Sequence, residues 1–141
     1  MKLFNRFLAA GYFCAFFQGV GIKVMSYENE RHFDEKTLKI QVLNDRFRQT
    51  FIGGQVFMTS GVSSLPQSEL ITLMNLVRTF NEFNGNNDPY GEHDFGKIDL
   101  NGTAYFWKID YYDVDLECLS PDPTDETVTR RVLTVMRADE Y

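Results

Sequence analysis

Length, composition and charge restrict what this chain can be. It has 141 residues, of which 43% are hydrophobic and 15% aromatic, and its formal net charge is −6. A chain of this size can bury one sizeable core, which excludes global disorder and makes a second domain unexpected. The negative charge argues against direct binding to nucleic acids or anionic membranes, because both are polyanions.

The first residues differ from the rest. Residues 1–24 combine a positive start, with Lys2 and Arg6, with an apolar run, which is the outline of a signal peptide without an A-x-A cleavage site. The run is shorter than the roughly 20 residues of a spanning helix, so we expect no stable membrane anchor. Two alternatives remain: an export or membrane-associating segment, or a true start at Met25. We expect a single domain over 25–141 and a cytoplasmic location, unless the segment is a real signal.

Two helices and one strand are predicted in the first half. The apolar spacing in residues 34–50 is typical of an amphipathic helix, and the β-forming residues 55–62 predict a strand. A second helix is expected from Ser64, with Pro66 in its first turn and capping-box spacing between Ser64 and Gln67. The side chains expected to face the core are Ile40, Leu43, Phe47 and Phe51 in the first helix and Leu70, Leu73, Met74, Val77 and Phe80 in the second.

A β-hairpin over residues 93–112 is the clearest local prediction. Asn101 and Gly102 are the pair preferred in two-residue type I′ turns, where both positions need a positive φ. The register follows by counting outward from the turn, and one face is the better core candidate because it holds most of the large apolar residues. That face pairs Leu100 with Thr103, Ile98 with Tyr105, Gly96 with Trp107 and Asp94 with Ile109; the other pairs Lys97 with Phe106, Phe95 with Lys108 and His93 with Asp110.

The C-terminal residues complete the predicted fold. Asp122 and Pro123 resemble a helix start, and Val128, Val132, Val135 and Met136 follow as an apolar stripe, so a final helix is expected. The predicted class is α+β. It comprises a small antiparallel sheet, made of the hairpin and the strand at 55–62, packed by about three amphipathic helices.

Several motifs together resemble a known bacterial family. They are LNDRFRQT (43–50), TSGV (59–62), NDPYGEHDFG (87–96), FWKIDYYD (106–113) and SPDPTDETVTRRVLTVM (120–136). In this order they are similar to the family known as domain of unknown function 3768, over about residues 43–141. The resemblance implies a short bacterial protein, often encoded on mobile elements, and brings no assigned activity or catalytic residues.

One cluster has side chains suited to chemistry. Carboxylates beside an imidazole can bind a metal or act as acid and base, and Glu92, His93, Asp110 and Asp113 are the candidates. The predicted register places His93 against Asp110, which makes these two the candidate catalytic pair. A structural His–Asp contact is the more common role of such a pair. The alternative is a metal-assisted hydrolase with a divalent ion.

Other chemistry has little support in the sequence. There is no phosphate-binding loop, no G-x-G-x-x-G and no CxxC, so no cofactor is predicted. The two cysteines, Cys14 and Cys118, give no disulfide framework, and Glu117 beside Cys118 opposes a thiolate nucleophile. We expect Cys118 to be a reduced, partly buried thiol.

The leading hypothesis is a non-catalytic accessory protein that binds a macromolecular partner, with an unidentified protein as the partner. Eleven of the 20 acidic residues lie between Asp88 and Glu126, which gives this half a strongly negative field. In one form of the hypothesis, a protein from a mobile element occupies a basic, nucleic-acid-binding surface of a host factor. The candidate binding residues are Asp88, Phe95, Phe106, Tyr112, Asp113 and Asp115.

Overall fold

The computed structural model describes residues 33–141, and the predictions for residues 1–24 lie outside them. The described residues form an α+β domain, which confirms the predicted class. In chain order the elements are α1 (Glu35–Thr50), β1 (Gly54–Met58), α2 (Ser60–Ser63), α3 (Gln67–Thr79), β2 (Phe95–Leu100), β3 (Thr103–Tyr112), β4 (Arg130–Arg137) and a final 3-10 turn (Ala138–Glu140). Within this range no helix is long and apolar enough to cross a membrane.

The four strands form one mixed sheet in the order β1-β4-β3-β2. Strand β3 is antiparallel to both of its neighbours, β2 and β4, whereas β1 runs parallel to β4. The register predicted for the hairpin is confirmed from Leu100 with Thr103 to Phe95 with Lys108, and Asn101 and Gly102 both have a positive φ. Gly96 lies against the indole of Trp107, as expected, because a Cβ there would lie 2.5 Å from Trp107 Nε1.

The predicted C-terminal helix is wrong, because residues 130–137 form the inner strand β4. The apolar spacing from Val128 fits a helix, but the run from Val132 to Met136 also fits a strand that is buried on both faces. Leu133 and Val135 are buried on one face of the sheet, and Val132 and Met136 on the other. Because β4 lies between β3 and β1 and runs parallel to β1, the sheet is mixed rather than purely antiparallel.

The segment between β1 and α3 also differs from the prediction. The strand ends at Met58 instead of residue 62, and α3 begins at Gln67 with Pro66 in the cap position, so the capping box of Ser64 does not form. A carboxylate distant in sequence explains the early turn. Glu140 accepts hydrogen bonds from the Thr59 hydroxyl (2.5 Å), the Ser60 hydroxyl (3.1 Å) and the Gly61 N–H (2.8 Å), which hold this segment away from the strand direction.

The two faces of the sheet have different surroundings. The helices pack on one face, which we call the covered face, around Trp107 and Leu133. The side chains of the opposite face, the outer face, do not belong to this core cluster. By the strand register, the outer face comprises Gln55, Phe57, Phe95, Lys97, Asp99, Ala104, Phe106, Lys108, Asp110, Tyr112, Arg130, Val132, Thr134 and Met136.

Candidate functional site

The candidate functional residues lie in two places, on the covered face and at the end of β3. On the covered face is a hydrogen-bonded group, here called the polar network, which consists of Asn44, Asp45, Arg48, Glu92, His93, Tyr111 and Arg131. In the network, His93 has a left-handed backbone (φ 55°) and lies just before β2. Its Nδ1 is 2.8 Å from Asp45 Oδ2, and its Nε2 is 2.7 Å from the side-chain amide nitrogen of Gln41. A carboxylate accepts, so Nδ1 is the donor in the contact with Asp45, while Nε2 bonds to the side chain of Gln41. Both ring nitrogens are therefore engaged within the protein.

The ring of His93 is also fixed by stacking. Phe83 lies parallel to the imidazole, with 3.6 Å between ring centroids and 4° between ring planes. On the other side of the carboxylate, the buried Arg48 donates to Asp45 Oδ1 at 2.8 Å. Asp45 thus joins the imidazole to a guanidinium, which orients the carboxylate and supplies the opposite charge that a partly buried ion requires.

Arg48 connects this group to the C-terminal end of α3. Its guanidinium donates to the carbonyl oxygens of Val77 (2.7 Å) and Arg78 (3.0 Å), which lie in the last turn of that helix. It also lies over the rings of Trp107 (5.2 Å) and Phe83 (5.5 Å). A cation near the C-terminal end of a helix and over aromatic faces is favourable, so Arg48 holds α1, α3 and the core together.

A second group of contacts is centred on the buried Asn44. Its amide nitrogen donates to the Glu92 carbonyl oxygen (2.8 Å) and to Tyr111 Oη (2.7 Å), and its Oδ1 accepts from Arg131 Nε (2.8 Å). Tyr111 in turn donates to Glu92 Oε2 at 2.8 Å. Burial raises the pKa of the Tyr111 phenol, and the nearby Glu92 carboxylate adds to the shift. Asn44 therefore links α1 to β3, β4 and the residues before β2.

Asp94, the residue between His93 and β2, has a carboxyl group with a raised pKa. Burial raises its pKa from 3.8 to about 6, and the negative charges of Glu92, Asp88 and Asp110 contribute to the same shift. Its backbone carbonyl accepts the Ile109 N–H at 2.7 Å, so the predicted pairing of Asp94 with Ile109 is present. A carboxyl group that titrates near neutral pH can take up or release a proton there.

The structure does not pair His93 with Asp110, so this prediction is wrong. The ladder of β2 and β3 ends at Phe95 and Lys108, and the left-handed backbone of His93 turns its side chain towards α1. Asp110 lies on the outer face, where its Oδ2 is 2.8 Å from Lys108 Nζ. The two candidate catalytic residues are therefore on opposite faces of the sheet.

The four candidate metal ligands are also dispersed. Glu92 bonds to Tyr111, His93 to Asp45 and Asp110 to Lys108, while Asp113 accepts a backbone N–H. Among residues 33–141, no group of three or more His, Cys, Asp or Glu side chains is placed to hold a metal ion.

Most of the predicted binding residues lie at or near the outer face. Phe95 and Phe106 are in contact, with ring centroids 5.4 Å apart, and Tyr141 packs against both at 6.4 and 5.6 Å. Tyr112 lies on the same face at the end of β3, where Asp113 and Asp115 follow it. Asp88 is the exception because it is buried, and its Oδ1 accepts the His93 N–H at 3.1 Å.

The segment after Tyr112, residues 113–119, is here called the acidic loop. Asp113 fixes its shape, since its N–H donates to the Cys118 carbonyl (2.9 Å) and its carboxylate accepts the Glu117 N–H (3.0 Å). Cys118 is exposed, not partly buried as expected. Val114, Leu116 and Leu119 are exposed by 46%, 37% and 79%.

Sequence reasoning missed Asn44, Asp45 and Arg48, because it assigned none of them a role. The spacing of residues along the helix could have indicated that two of these polar side chains are buried. Asn44 and Arg48 are one turn apart and lie within the stripe formed by Ile40, Leu43 and Phe47. Polar residues at buried helix positions need hydrogen-bond partners elsewhere in the fold, so their positions could have indicated a network.

The chain belongs to the family whose model is described as "Protein of unknown function (DUF3768)", which matches residues 58–140. The match confirms the resemblance seen in the motifs, although it begins later than residue 43. It includes the acidic loop, most of the sheet and His93, whereas the network residues of α1 precede it. Neither curated proteins nor solved structures contain a match to the chain.

Proposed function

We propose that this protein is a non-catalytic accessory protein that binds a macromolecular partner through the acidic loop and the adjoining outer face. One observation carries the proposal: three large apolar side chains, those of Val114, Leu116 and Leu119, are exposed between carboxylates in one short loop. Apolar side chains clustered at a surface commonly mark a protein interaction site.

The internal bonding of the acidic loop supports this role. Besides the two bonds of Asp113, Leu116 donates its N–H to the Asp113 carbonyl at 3.2 Å, and Leu119 forms a single bridge with Tyr112. Leu116 also adopts a left-handed backbone (φ 61°). These contacts order the backbone before any partner arrives, so less conformational entropy is lost on binding.

Charge indicates the kind of partner. Residues 109–129 contain no Lys or Arg, and Asp115 and Glu117 are exposed beside the apolar side chains of the loop. Lys108 offsets Asp110 and Arg46 offsets Glu126, so the negative field is concentrated at Asp115 and Glu117, where it accelerates the approach of a positively charged surface and repels a polyanion. A basic surface on another protein, such as one that binds nucleic acid, has the complementary chemistry.

The outer face extends the same surface. Phe95, Phe106 and Tyr112 are half-buried, and Lys97 beside them is exposed. Aromatic rings near the centre of an interface with charged groups around them are typical of binding surfaces. Tyr112 connects the two parts because it ends β3 and precedes the loop.

The bonding of His93 agrees with a role in stability. Both ring nitrogens already have partners, and the stacked Phe83 covers one side of the ring. A metal-assisted hydrolase centred on His93 and Asp110 gains no support from this geometry, since the two residues lie on opposite faces of the sheet.

A quantitative affinity capture from lysate of the source cell tests the proposal. The bait is the full chain, either wild type or a loop variant that combines Asp115→Asn, Glu117→Gln and Leu119→Ala. The expected result is a protein captured by the wild type and lost from the loop variant. Because charge drives its approach, that protein should also be released by added salt.

A matched control separates the loop from general charge loss. Glu35→Gln, Glu82→Gln and Leu38→Ala remove the same number of charges and one exposed leucine from positions outside the loop and the outer face. This control should capture the partner as well as the wild type does. Equal capture by all three baits would contradict the proposal.

A further inference from the structure

We propose that the outer edge of β1 is a self-association surface through which two copies of this chain pair antiparallel and join their sheets. This surface is distinct from the acidic loop, and the inference does not depend on the proposed partner. It rests on three features of this edge: no strand of residues 33–141 pairs with it, half of its backbone groups are directed away from β4, and it carries no charge.

The two edges of the sheet differ. Strand β2, at one edge, carries the exposed charged residues Lys97 and Asp99, which are typical devices against edge-to-edge pairing. Strand β1, at the other edge, has the sequence GQVFM and no charge. Its Phe57 is 53% exposed and its Met58 41%, and Ile52 just before the strand is 75% exposed. Among residues 33–141, charged strand residues therefore protect the β2 edge but not the β1 edge.

The backbone of β1 has groups directed outward. The Thr59 N–H donates to the Val135 carbonyl of β4 at 3.0 Å, so the backbone N–H and C=O groups of Thr59 are directed towards β4. Because this direction alternates along a strand, the backbone groups of Phe57 and Gln55 are also directed towards β4. The N–H and C=O groups of the remaining strand residues, Gly54, Val56 and Met58, are directed away from β4, in the plane of the sheet. The Met58 carbonyl also accepts a long bond of 3.4 Å from Ser63 Oγ.

This arrangement is self-complementary. If a two-fold axis passes beside Val56, that residue pairs with itself and Gly54 pairs with Met58 of the other copy. All of these are outward-directed residues, so each pair can exchange two backbone hydrogen bonds. Gln55 of one copy then lies opposite Phe57 of the other on the outer face.

Charge favours a second copy as the occupant. Two chains of net charge −6 repel each other over most of their surfaces, but no residue from 49 to 68 is charged. Pairing along β1 therefore brings no like charges into direct opposition, whereas pairing along β2 would place charged residues at the junction. A two-fold contact at β1 uses this edge in both copies and so closes as a dimer.

Sedimentation equilibrium of the full chain at micromolar concentrations tests the proposal. The expected mass is that of two chains. The double variant Gln55→Lys with Phe57→Lys places two positive charges opposite each other in both cross-strand pairs and should sediment as a monomer. A monomeric wild type, or a double variant that remains dimeric, would overturn the proposal.

A charge-compensated variant provides the decisive comparison. Gln55→Glu with Phe57→Lys places opposite charges across the same pairs and should restore the dimer, although it retains the substitution of Phe57. A folded but monomeric compensated variant would also overturn the proposal. As a matched control, exchanging the charges of the β2 edge with Lys97→Asp and Asp99→Lys should leave the dimer unchanged.

Discussion

The polar network around Asp45 and the acidic loop both contain carboxylates, but those of the network are bonded within the fold and most of those in the loop are exposed. In the network, His93, Asn44 and the Arg48 Nη1 atom are hydrogen-bonded to other parts of the fold. In the loop, the carboxylate of Asp113 fixes the backbone, while Asp115 and three apolar side chains are exposed. Polar side chains whose partners lie inside the fold stabilise it, whereas carboxylates exposed beside apolar side chains remain available to bind a partner.

The largest effect is expected at Arg48. Replacing it with Met removes the cation that bonds to Asp45 and to the last carbonyls of α3, and leaves these acceptors without that donor. Arg48 is buried and Asp45 partly buried, and three acceptors lose their donor together, so the expected cost is about 3 kcal/mol in the free energy of unfolding. Urea unfolding measures this loss. Arg46→Met is the control, because Arg46 pairs with Glu126 at the exposed surface, where an ion pair contributes under about 1 kcal/mol. Similar losses for both variants would contradict the role assigned to Arg48.

A smaller loss is expected for Asn44→Ala. This variant leaves the Glu92 carbonyl, Tyr111 and Arg131 each without one hydrogen-bond partner. Unsatisfied buried polar groups cost about 1 to 3 kcal/mol in unfolding free energy. Asn81→Ala, at an exposed position, should change it by less than about 0.5 kcal/mol. Equal urea midpoints for the two variants would contradict a structural role of Asn44.

The network should also make stability depend on pH through Asp94. The pKa of this carboxyl is raised from 3.8 to about 6, so the folded state binds its proton more tightly than the unfolded state does. Its contribution to stability is present below about pH 4 and is lost as pH rises towards and through about 6. Asp94→Asn should therefore gain stability relative to the wild type over this window. Urea midpoints from pH 4 to 7 measure the difference, with Asp99→Asn as control; a constant difference across the window would contradict it.

The smallest effect on stability is expected in the acidic loop. Leu119 is 79% exposed, so Leu119→Ser removes almost no buried surface and should change the unfolding free energy by less than about 0.5 kcal/mol. The same substitution should weaken partner capture. A thermal unfolding scan beside the capture measurement separates the two effects, and a large loss of stability would show that Leu119 is a structural residue.

The parts of the fold that could be predicted are those that local chemistry determines. Asn101 and Gly102 specify a turn with two positive φ values, and the turn fixes the hairpin register. Strand β4 could not be predicted in the same way. It is buried on both faces, so Val132 and Leu133 are both apolar and the period of two that identifies a strand is absent.

The site was less predictable because it depends on contacts between distant segments. His93 is 48 residues from Asp45, and Arg131 is 87 residues from Asn44. The hairpin register extends only to Phe95, and no local pattern indicates that His93 leaves it. The aromatic outer face was predictable because the same register fixes which side chains share a face.

Hydrogen–deuterium exchange of the full chain, alone and with the captured partner, tests the central claim most directly. The account predicts that the partner slows exchange in the acidic loop and along β3, and leaves residues 84–94 and α1 unchanged. Slower exchange around His93 and α1, with no change in residues 113–119, would contradict it and would place the functional surface at the polar network.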